Sequence, residues 1–221
     1  MAPRRASASE PGDPRAEPVE VELRFIVDAP LPYSGDLRRL RPGGLELVKR
    51  GDSRLHSDVY LDTGTLRLRS AGANLRLRTG SSGRRWVTLK QKTRGGHKGA
   101  LNIRLEFEEE LTRDVRPHES LPWRKAAALT AREIRPVLQV ATLREEHVFA
   151  DSVGHRAVVA LDIVTYPDGS VERRLEIELP GGTPEFVRRV EEDVRRKVRG
   201  LKAAPRGKRS EAIRRLPRLF M

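Results

Sequence analysis

The sequence contains no cysteine among its 221 residues, and only 5% of its residues are aromatic. Without cysteine the chain has no disulfide framework, no thiolate zinc site and no cysteine nucleophile. Any metal must therefore be bound by oxygen or imidazole ligands. No apolar run approaches the roughly 18 residues that a membrane-spanning helix needs. No apolar stretch follows the arginines near the N-terminus either, so we predict a cytoplasmic protein without a secretory signal.

The motifs of several enzyme classes are also missing. The chain has neither a G-x-x-x-x-G-K-[ST] loop nor a G-x-S-x-G elbow, so P-loop and serine hydrolase chemistry lack support. Its five histidines show no H-x-x-x-H spacing. We interpret them as surface residues and not as metal ligands.

Positive charge is in excess, with a formal net charge of +13. This imbalance predicts a polyanionic partner. From Thr183 to Met221 there are 13 lysines and arginines against 5 acidic residues, which gives this segment +8 of the total. Two interpretations of the segment remain open. It is either a basic tail that aids solubility or a nucleic-acid contact, and the second is not favoured.

Period-2 alternation of apolar and polar residues dominates the chain after an irregular leader, Met1 to Glu17, which we predict to be disordered. Residues 18–218 are predicted to form one domain. Many antiparallel strands with a few helices indicate an α+β fold built on one large sheet or barrel. The predicted strands are Val19–Val27, Ser57–Asp62, Asn74–Thr79, Trp86–Lys92, Leu101–Glu109, Gln139–Phe149, Arg156–Thr165 and Glu172–Leu179. The predicted helices are Asp36–Arg50, Leu121–Ala131, Pro184–Arg199 and Arg209–Leu216.

Charges of one sign recur two residues apart within the predicted strands, and such residues share a face of the sheet. Cations crowded on neighbouring strands repel one another, so such a patch predicts a multiply charged anion as its ligand. Paired carboxylates suit Mg²⁺ or Mn²⁺. Cations for phosphates together with carboxylates for a divalent metal indicate phosphoryl transfer. The acidic pairs are Glu20 and Glu22, Glu106 and Glu108, and Glu176 and Glu178; the basic pairs are Arg76 and Arg78, and Lys90 and Lys92.

A family resemblance adds to this interpretation. Glu20-x-Glu22-x-Arg24 resembles the E-x-E-x-K signature of the CYTH superfamily, the triphosphate tunnel metalloenzymes. Further motifs follow in the family's order, so that the resemblance runs from about Val19 to Leu216. They are Asp58-Val59-Tyr60-Leu61-Asp62-Thr63, Leu66 to Arg69, Asn74-Leu75-Arg76-Leu77-Arg78, Leu89-Lys90-Gln91-Lys92, Arg104-x-Glu106-x-Glu108, Thr142-x-Arg144, Leu161-Asp162 and Glu176-x-Glu178.

The resemblance implies a closed eight-stranded antiparallel β-barrel, a tunnel with a charged lumen and helices packed outside. It also implies a hydrolase that needs Mg²⁺ or Mn²⁺. Its substrate would be inorganic triphosphate, a nucleoside triphosphate or thiamine triphosphate, and metal-activated water would release the terminal phosphate. An adenylyl cyclase with the same lumen remains an alternative. So does a non-catalytic module that binds polyphosphate or RNA.

Carried over residue by residue, the resemblance also implies roles. Asp162, Glu176 and Glu178 would hold a catalytic metal, Glu20 and Glu22 would hold a second one, and the lumen would also contain Glu106 and Glu108 as acidic ligands. The triphosphate would be bound by Arg76, Arg78, Lys90, Lys92, Arg104 and Arg144. The catalytic set would comprise Glu20, Glu22, Arg24 and Lys208. Two positions depart from the family pattern, because Arg24 replaces a lysine and Gly207 replaces the serine that often precedes the late lysine.

Overall fold

The structure, a computed structural model, describes residues 18–28 and 37–216. The predicted disordered leader lies outside these residues. The strands are β1 (Val19–Val27), β2 (Glu46–Lys49), β3 (Arg54–Asp62), β4 (Ala73–Gly80), β5 (Arg85–Lys98), β6 (Leu101–Leu111), β7 (Arg135–Ala150), β8 (Arg156–Thr165), β9 (Val171–Glu178) and β10 (Leu201–Ala203). The α-helices are α1 (Arg67–Ser70), α2 (Leu121–Ala127), α3 (Pro184–Lys197) and α4 (Lys208–Arg215).

Eight of the strands close into an antiparallel barrel in the order β1, β6, β5, β4, β3, β7, β8, β9. The last of them pairs back onto the first, with Glu176 opposite Arg24 and Glu178 opposite Glu22. The short strands β2 and β10 pair with β7 and β1 respectively. The predicted fold, an α+β protein with a closed eight-stranded barrel, is thereby confirmed. Closure pairs the edges that an open sheet would leave free.

The alternation along each strand sorts the side chains between the lumen and the helices outside. On β1, Leu23 and Phe25 are completely buried in an apolar cluster with Phe186 and Val190 of α3. The opposite face of β1 carries its charged residues into the lumen. Burial of side chains this large contributes about 1.5–3 kcal/mol each, so the apolar face fixes the direction in which the charged face points.

Helix α4 closes one end of the barrel. Its residues Ala212 and Ile213 pack with Tyr60, Val140 and Val164. Tyr60 and Val164 share their strand faces with Asp58 and Asp162, two positions away, and Val140 shares its face with Arg144, four positions away. The C-terminal helix therefore covers the lumen at this end and leaves the opposite end accessible.

The helix predicted over Asp36–Arg50 is wrong. Within the described part of that range the chain forms two isolated 3₁₀ turns, Leu37–Arg39 and Pro42–Gly44, and then the strand β2. Gly43 and Gly44 have φ values of 60° and 83°, which an α-helix does not tolerate. A Cβ atom at Gly43 would lie only 2.9 Å from Cγ2 of Val190. The glycine thus allows the turn to pack closely on α3.

The other three predicted helices are present with shorter or shifted ends. Helix α3 begins where its capping signal predicts, since the Thr183 hydroxyl accepts a hydrogen bond from the Phe186 N–H at 3.3 Å. Helix α2 ends at Ala127, four residues before the predicted end. Among the described residues, the helices are all too short or too polar to cross a bilayer.

Candidate active site in the barrel lumen

The lumen contains a cavity of about 470 Å³ at the end away from α4. A smaller space of about 40 Å³ lies deeper, where Gly207 and Lys208 of the C-terminal segment reach the barrel. Charged side chains of both signs line the larger cavity. They are Glu20, Arg76, Arg78, Lys90, Glu106, Glu108, Arg144, Glu146, Glu176 and Glu178.

Three carboxylates, from Glu20, Glu22 and Glu178, form a compact acidic cluster. Each offers an oxygen atom, and these atoms all lie within 4.8 Å of one another. Barrel closure produces the cluster, because it places Glu178 of β9 opposite Glu22 of β1. Oε2 of Glu20 is buried and accepts no hydrogen bond from the described residues, although Arg104 Nη2 lies 3.2 Å from it. Such hard, closely spaced oxygen donors fit a divalent cation.

Glu178 is the least compensated carboxylate of the acidic cluster, because Glu20 and Glu22 both have basic partners. Within the described residues no lysine or arginine forms an ion pair with Glu178, because Lys90 and Arg144 pair with other carboxylates. Burial raises the pKa of Glu178 to about 7; Lys90 and Arg144 oppose the shift, and the neighbouring Glu20 and Glu22 add to it. Burial also raises the pKa of Glu22, although Arg104 opposes this. A bound cation would stabilise the ionised form of both groups.

Asp162 and Glu176 are neutralised by cations instead. Asp162 is fully buried and accepts hydrogen bonds from Arg144 Nε at 2.7 Å and Arg144 Nη2 at 2.8 Å. Lys208 pairs with Asp162 and lies 3.3 Å from Glu176 Oε1. Burial alone would raise the pKa of Glu176, but Lys208 and Arg144 hold it well below its ordinary value. The structure therefore groups Glu178 with Glu20 and Glu22, and not with Asp162.

Arg76 and Arg78 share a buried carboxylate that sequence analysis left without a role. Asp58 on β3 is fully buried and accepts hydrogen bonds from Arg78 Nε at 2.7 Å and Arg78 Nη2 at 3.0 Å. Arg76 Nη1 lies 3.5 Å from the same carboxylate. Burial would raise the pKa of Asp58, but Arg76 and Arg78 hold it below its ordinary value. The negative charge of Asp58, in the wall of the barrel, thus offsets the predicted repulsion between Arg76 and Arg78.

Lys90 and Arg104 adjoin the acidic cluster. Lys90 Nζ lies 2.6 Å from Glu20 Oε1 and 3.1 Å from Glu106 Oε1, and Arg104 Nη2 lies 3.2 Å from Glu20 Oε2. Arg104 also pairs with Glu22. Burial would lower the pKa of Lys90, but Glu20 and Glu106 raise it above its ordinary value. Both cations therefore stay charged next to the place where a metal would sit.

Three residues implied by the resemblance, Glu106, Glu108 and Lys92, lie outside the acidic cluster. Glu106 is paired with Lys90, and the exposed Glu108 accepts a hydrogen bond from the Thr88 hydroxyl at 2.8 Å. Neither belongs to the acidic cluster. Lys92 is exposed and lines neither cavity. Its backbone N–H donates to Gly72 at 3.0 Å, at the end of the hairpin beyond Lys90.

Arg24 and Lys208 both line the deep end of the lumen. Arg24 is buried, donates a hydrogen bond to the side chain of Asn102, and lies 3.2 Å from Glu22. Sequence analysis missed Asn102, which is uncharged and gives no signal in a charge pattern. Lys208 is also buried. At least part of the basic C-terminal segment therefore serves the lumen and not an outer surface.

The interpretation of all five histidines as surface residues is wrong. His147 is buried, with Nδ1 accepting a hydrogen bond from the backbone N–H of Gly51 at 3.2 Å and Nε2 2.9 Å from Glu145. His56 is half-buried beside the barrel mouth. Within the described part of the chain, neither histidine belongs to the acidic cluster.

Three solved structures share the fold of this chain. A Bacillus halodurans protein named for adenylate cyclase has a TM-score of 0.60 and 19% identity over 90% of this chain and 97% of its own. A Hippeastrum protein named for adenylyl cyclase, and described as having a dominant triphosphatase activity, has a TM-score of 0.58 and 17% identity over 87% and 94%. Protein PH1819 of Pyrococcus horikoshii has a TM-score of 0.57 and 22% identity over 89% and 99%.

Similarity at the sequence level is confined to the family. No curated protein matches the chain. The CYTH domain model, however, matches residues 19–207. This range runs from the first strand of the barrel to the residue before α4, and it contains the acidic cluster and the cations around it. The chain belongs to the CYTH domain family.

Proposed function

We propose that this protein is a divalent-metal-dependent hydrolase of triphosphate-containing substrates. The observation that carries the proposal is the acidic cluster of Glu20, Glu22 and Glu178 next to Lys90 and Arg104 in the charged lumen, between its larger and its deeper cavity. The substrate would be inorganic triphosphate, a nucleoside triphosphate or thiamine triphosphate. The catalytic domain would comprise residues 18–218, of which the family match covers 19–207.

Three arginines are placed to bind the phosphates. Arg76, Arg78 and Arg144 line the larger cavity, and guanidinium groups bind phosphate oxygens in a planar, two-pronged manner. Asp58 holds Arg76 and Arg78, and Asp162 holds Arg144, each from the barrel wall. These buried carboxylates would act as positioning residues that fix the direction of the guanidinium groups before substrate arrives.

Glu20, Glu22 and Glu178 would hold the metal. Bound there, Mg²⁺ or Mn²⁺ supplies Lewis-acid polarisation of a phosphoryl oxygen and lowers the pKa of water. Lys90 and Arg104 stand beside the same carboxylates. They would stabilise the negative charge that develops on the phosphoryl oxygens during transfer, as fixed charges in a cavity shielded from bulk water do.

The acidic cluster also favours a hydrolase over a module that only binds anions. A module that only binds polyphosphate or RNA gains nothing from an uncompensated carboxylate such as Glu178, which repels phosphates unless a metal lies between them. The shared fold with the Hippeastrum protein described as having a dominant triphosphatase activity supports the same choice.

The test measures products. Inorganic triphosphate, ATP and thiamine triphosphate are incubated with the protein in the presence of Mg²⁺, Mn²⁺ or EDTA, and released phosphate and pyrophosphate are quantified separately. We expect metal-dependent release of phosphate that EDTA abolishes. Pyrophosphate and cyclic AMP from ATP would show a cyclase instead. Tight binding of triphosphate with no product under any condition would show a binding module.

A further inference from the structure

Helix α4 carries Lys208 into the lumen, but the helix itself does little to hold its own first turn. It has eight residues, and a helix of this length is not stable by itself in water. Its N-cap is Gly207, which has no side chain to accept a hydrogen bond from the first turn. The place of Lys208 therefore depends on contacts between α4 and the barrel.

Two sets of these contacts do not fix Lys208. Ala212 and Ile213 pack against the barrel a full turn further along the helix, and apolar packing is not directional. Before the helix, Arg174 donates a hydrogen bond to the carbonyl oxygen of Arg206 at 2.9 Å. Gly207 separates that anchor from Lys208, and glycine is the residue whose backbone turns most freely.

Arg209, the next residue along the chain, anchors the first turn by directional contacts. Its side chain is buried. Nη2 donates a hydrogen bond to the carbonyl oxygen of Ala73 at 2.7 Å, and Nη1 lies 3.4 Å from Oδ2 of Asp62. Asp62 ends β3 and Ala73 begins β4. One guanidinium group thus joins α4 to the ends of two neighbouring barrel strands.

The Asp62 carboxylate is itself held firmly. It is fully buried. Oδ1 accepts hydrogen bonds from the backbone N–H groups of Thr63 and Leu68, both at 2.8 Å, and Oδ2 accepts one from the N–H of Arg69 at 3.0 Å. Asp62 is therefore satisfied without Arg209, and it offers the guanidinium group a partner in a fixed position.

Stability does not account for the burial of Arg209. Burial lowers its pKa to about 10; Asp62 and Tyr60 oppose the shift, and Arg69 adds to it. Its Nε atom is buried and has no hydrogen-bond partner among the described residues. Because removing a charge from water is so unfavourable, an apolar side chain often stabilises such a place equally well. The two directed contacts of Arg209 therefore favour a role in placing the chain.

Lys208 needs accurate placement because it contacts carboxylates of two strands. It pairs with Asp162 of β8 and lies 3.3 Å from Oε1 of Glu176 on β9. Asp162 in turn holds Arg144, which lines the larger cavity together with Glu176. A displacement of Lys208 by about 1 Å would reach these groups, and a misplacement of that size can cost about a hundredfold in rate.

We propose that Arg209 is a positioning residue, which fixes the Nζ atom of Lys208 between Asp162 and Glu176. Arg209 lines neither lumen cavity, so it acts on the site through Lys208 and not on the substrate. The inference rests on the proposed function, because it adds a residue to the machinery of that site.

The first measurement is the rate at which acetic anhydride acetylates Lys208 in the metal-free protein, followed by mass spectrometry. A buried, ion-paired amine reacts slowly, so the rate reports whether Lys208 keeps its place. The wild type is compared with Arg209→Met and with a matched control, Arg214→Met, which removes a cation from the exposed side of the same helix. Lys197 of α3 reports general loosening, because its Nζ atom is bound to Asp193 at 2.7 Å.

We expect Lys208 to be acetylated at least about tenfold faster in Arg209→Met than in Arg214→Met, with an unchanged rate at Lys197. An unchanged rate at Lys208 would overturn the inference. An equal rise at Lys197 would overturn it too, because it would show a general loss of stability. If Arg209→Met does not fold, Arg209→Lys takes its place in the same comparison, since it keeps the charge beside Asp62 but loses the second contact.

The second measurement is kcat for hydrolysis of inorganic triphosphate with Mg²⁺. Arg209→Met should lower kcat by about tenfold in the otherwise wild-type protein and by less than about twofold in Lys208→Met, where nothing is left to position. Equal losses in the two backgrounds would overturn the inference and leave the proposed function standing. A wild type without hydrolysis would remove the proposed function, whereas the acetylation rates would still decide whether Arg209 places Lys208.

Discussion

A Cβ atom at Gly207 would lie 3.1 Å from Nη1 of Arg24. These are the two positions at which the chain departs from the family's motifs, and they are neighbours at the deep end of the lumen. The Arg24 guanidinium occupies the space beside Gly207, so the longer cation and the missing side chain are structural counterparts. The backbone of Gly207 has φ −70°, which any residue adopts. A substitution there therefore tests side-chain packing without backbone strain.

The first prediction follows from this contact. In Gly207→Ser the new side chain crowds a buried guanidinium, which opposes the stabilisation that serine provides at this N-cap position of α4, and Arg24→Lys should relieve the crowding. We expect the double variant to be more stable than the sum of the single effects by at least about 0.5 kcal/mol, as contacting residues show. Urea unfolding of the four proteins measures this coupling. Strictly additive changes would mean that the two positions are independent.

The second prediction concerns the acidic cluster. Glu178→Gln should reduce metal-dependent hydrolysis by at least about a hundredfold, because it removes a charged ligand from a site that supplies several kcal/mol of transition-state stabilisation. The matched control is Glu192→Gln on α3, which removes an exposed carboxylate. We expect the control to retain activity. Wild-type turnover by the Glu178 variant would remove this residue from the metal site.

The same substitution carries a pH signature without metal, which is the third prediction. The pKa of Glu178 is raised to about 7 by burial, so its ionisation destabilises the folded state as pH rises from the unfolded pKa through 7. In EDTA, the Glu178→Gln variant should melt higher than the wild type at about pH 8, and the difference should shrink towards about pH 5. Melting temperatures of both proteins, measured from about pH 5 to about pH 8, test this prediction. A constant difference would show that Glu178 is not desolvated.

Sequence patterns were sufficient for the strands, because the alternation within each strand assigns its residues to two faces. The alternation on β1 predicted its bounds, Val19–Val27, whereas the closed eight-stranded barrel was implied by the family resemblance. The pattern of a single strand, however, does not predict which residues of another strand it pairs with. The grouping of Glu178 with Glu20 and Glu22 depends on the register of β9 against β1, and the partnership of Asp58 with Arg78 depends on that of β3 against β4. The sequence therefore could not predict which carboxylates lie together where distant strands meet.

The fourth prediction tests Asp58, which holds both Arg76 and Arg78. Asp58→Asn keeps the shape of the side chain but leaves two guanidinium groups without their buried counter-charge, a change that costs about 3–5 kcal/mol in comparable buried pairs. We expect a lower free energy of unfolding and weaker binding of triphosphate. Added triphosphate should recover part of the stability, since it supplies negative charge to the same arginines. A variant as stable as the wild type would show that the ion pairs of Asp58 with Arg76 and Arg78 do not stabilise the fold.

The last prediction compares Lys90 and Lys92, which lie on one face of the same strand and received the same role from sequence analysis. Lys90 is half-buried and lies between Glu20 and Glu106, whereas Lys92 is exposed and lines neither lumen cavity. Lys90→Met should therefore weaken binding of inorganic triphosphate by about tenfold or more, as expected when one charged partner is lost from a buried site.

Lys92→Met provides the matched control, because it makes the same chemical change two residues along the strand. Its affinity should stay within about twofold of the wild type, since an exposed cation outside the cavity is screened by solvent. Binding is measured by calorimetry in EDTA, so that turnover does not enter. Equal losses of affinity in the two variants would mean that triphosphate binding depends only on the net charge of the strand. The position of Lys90 beside the acidic cluster would then have no role in binding.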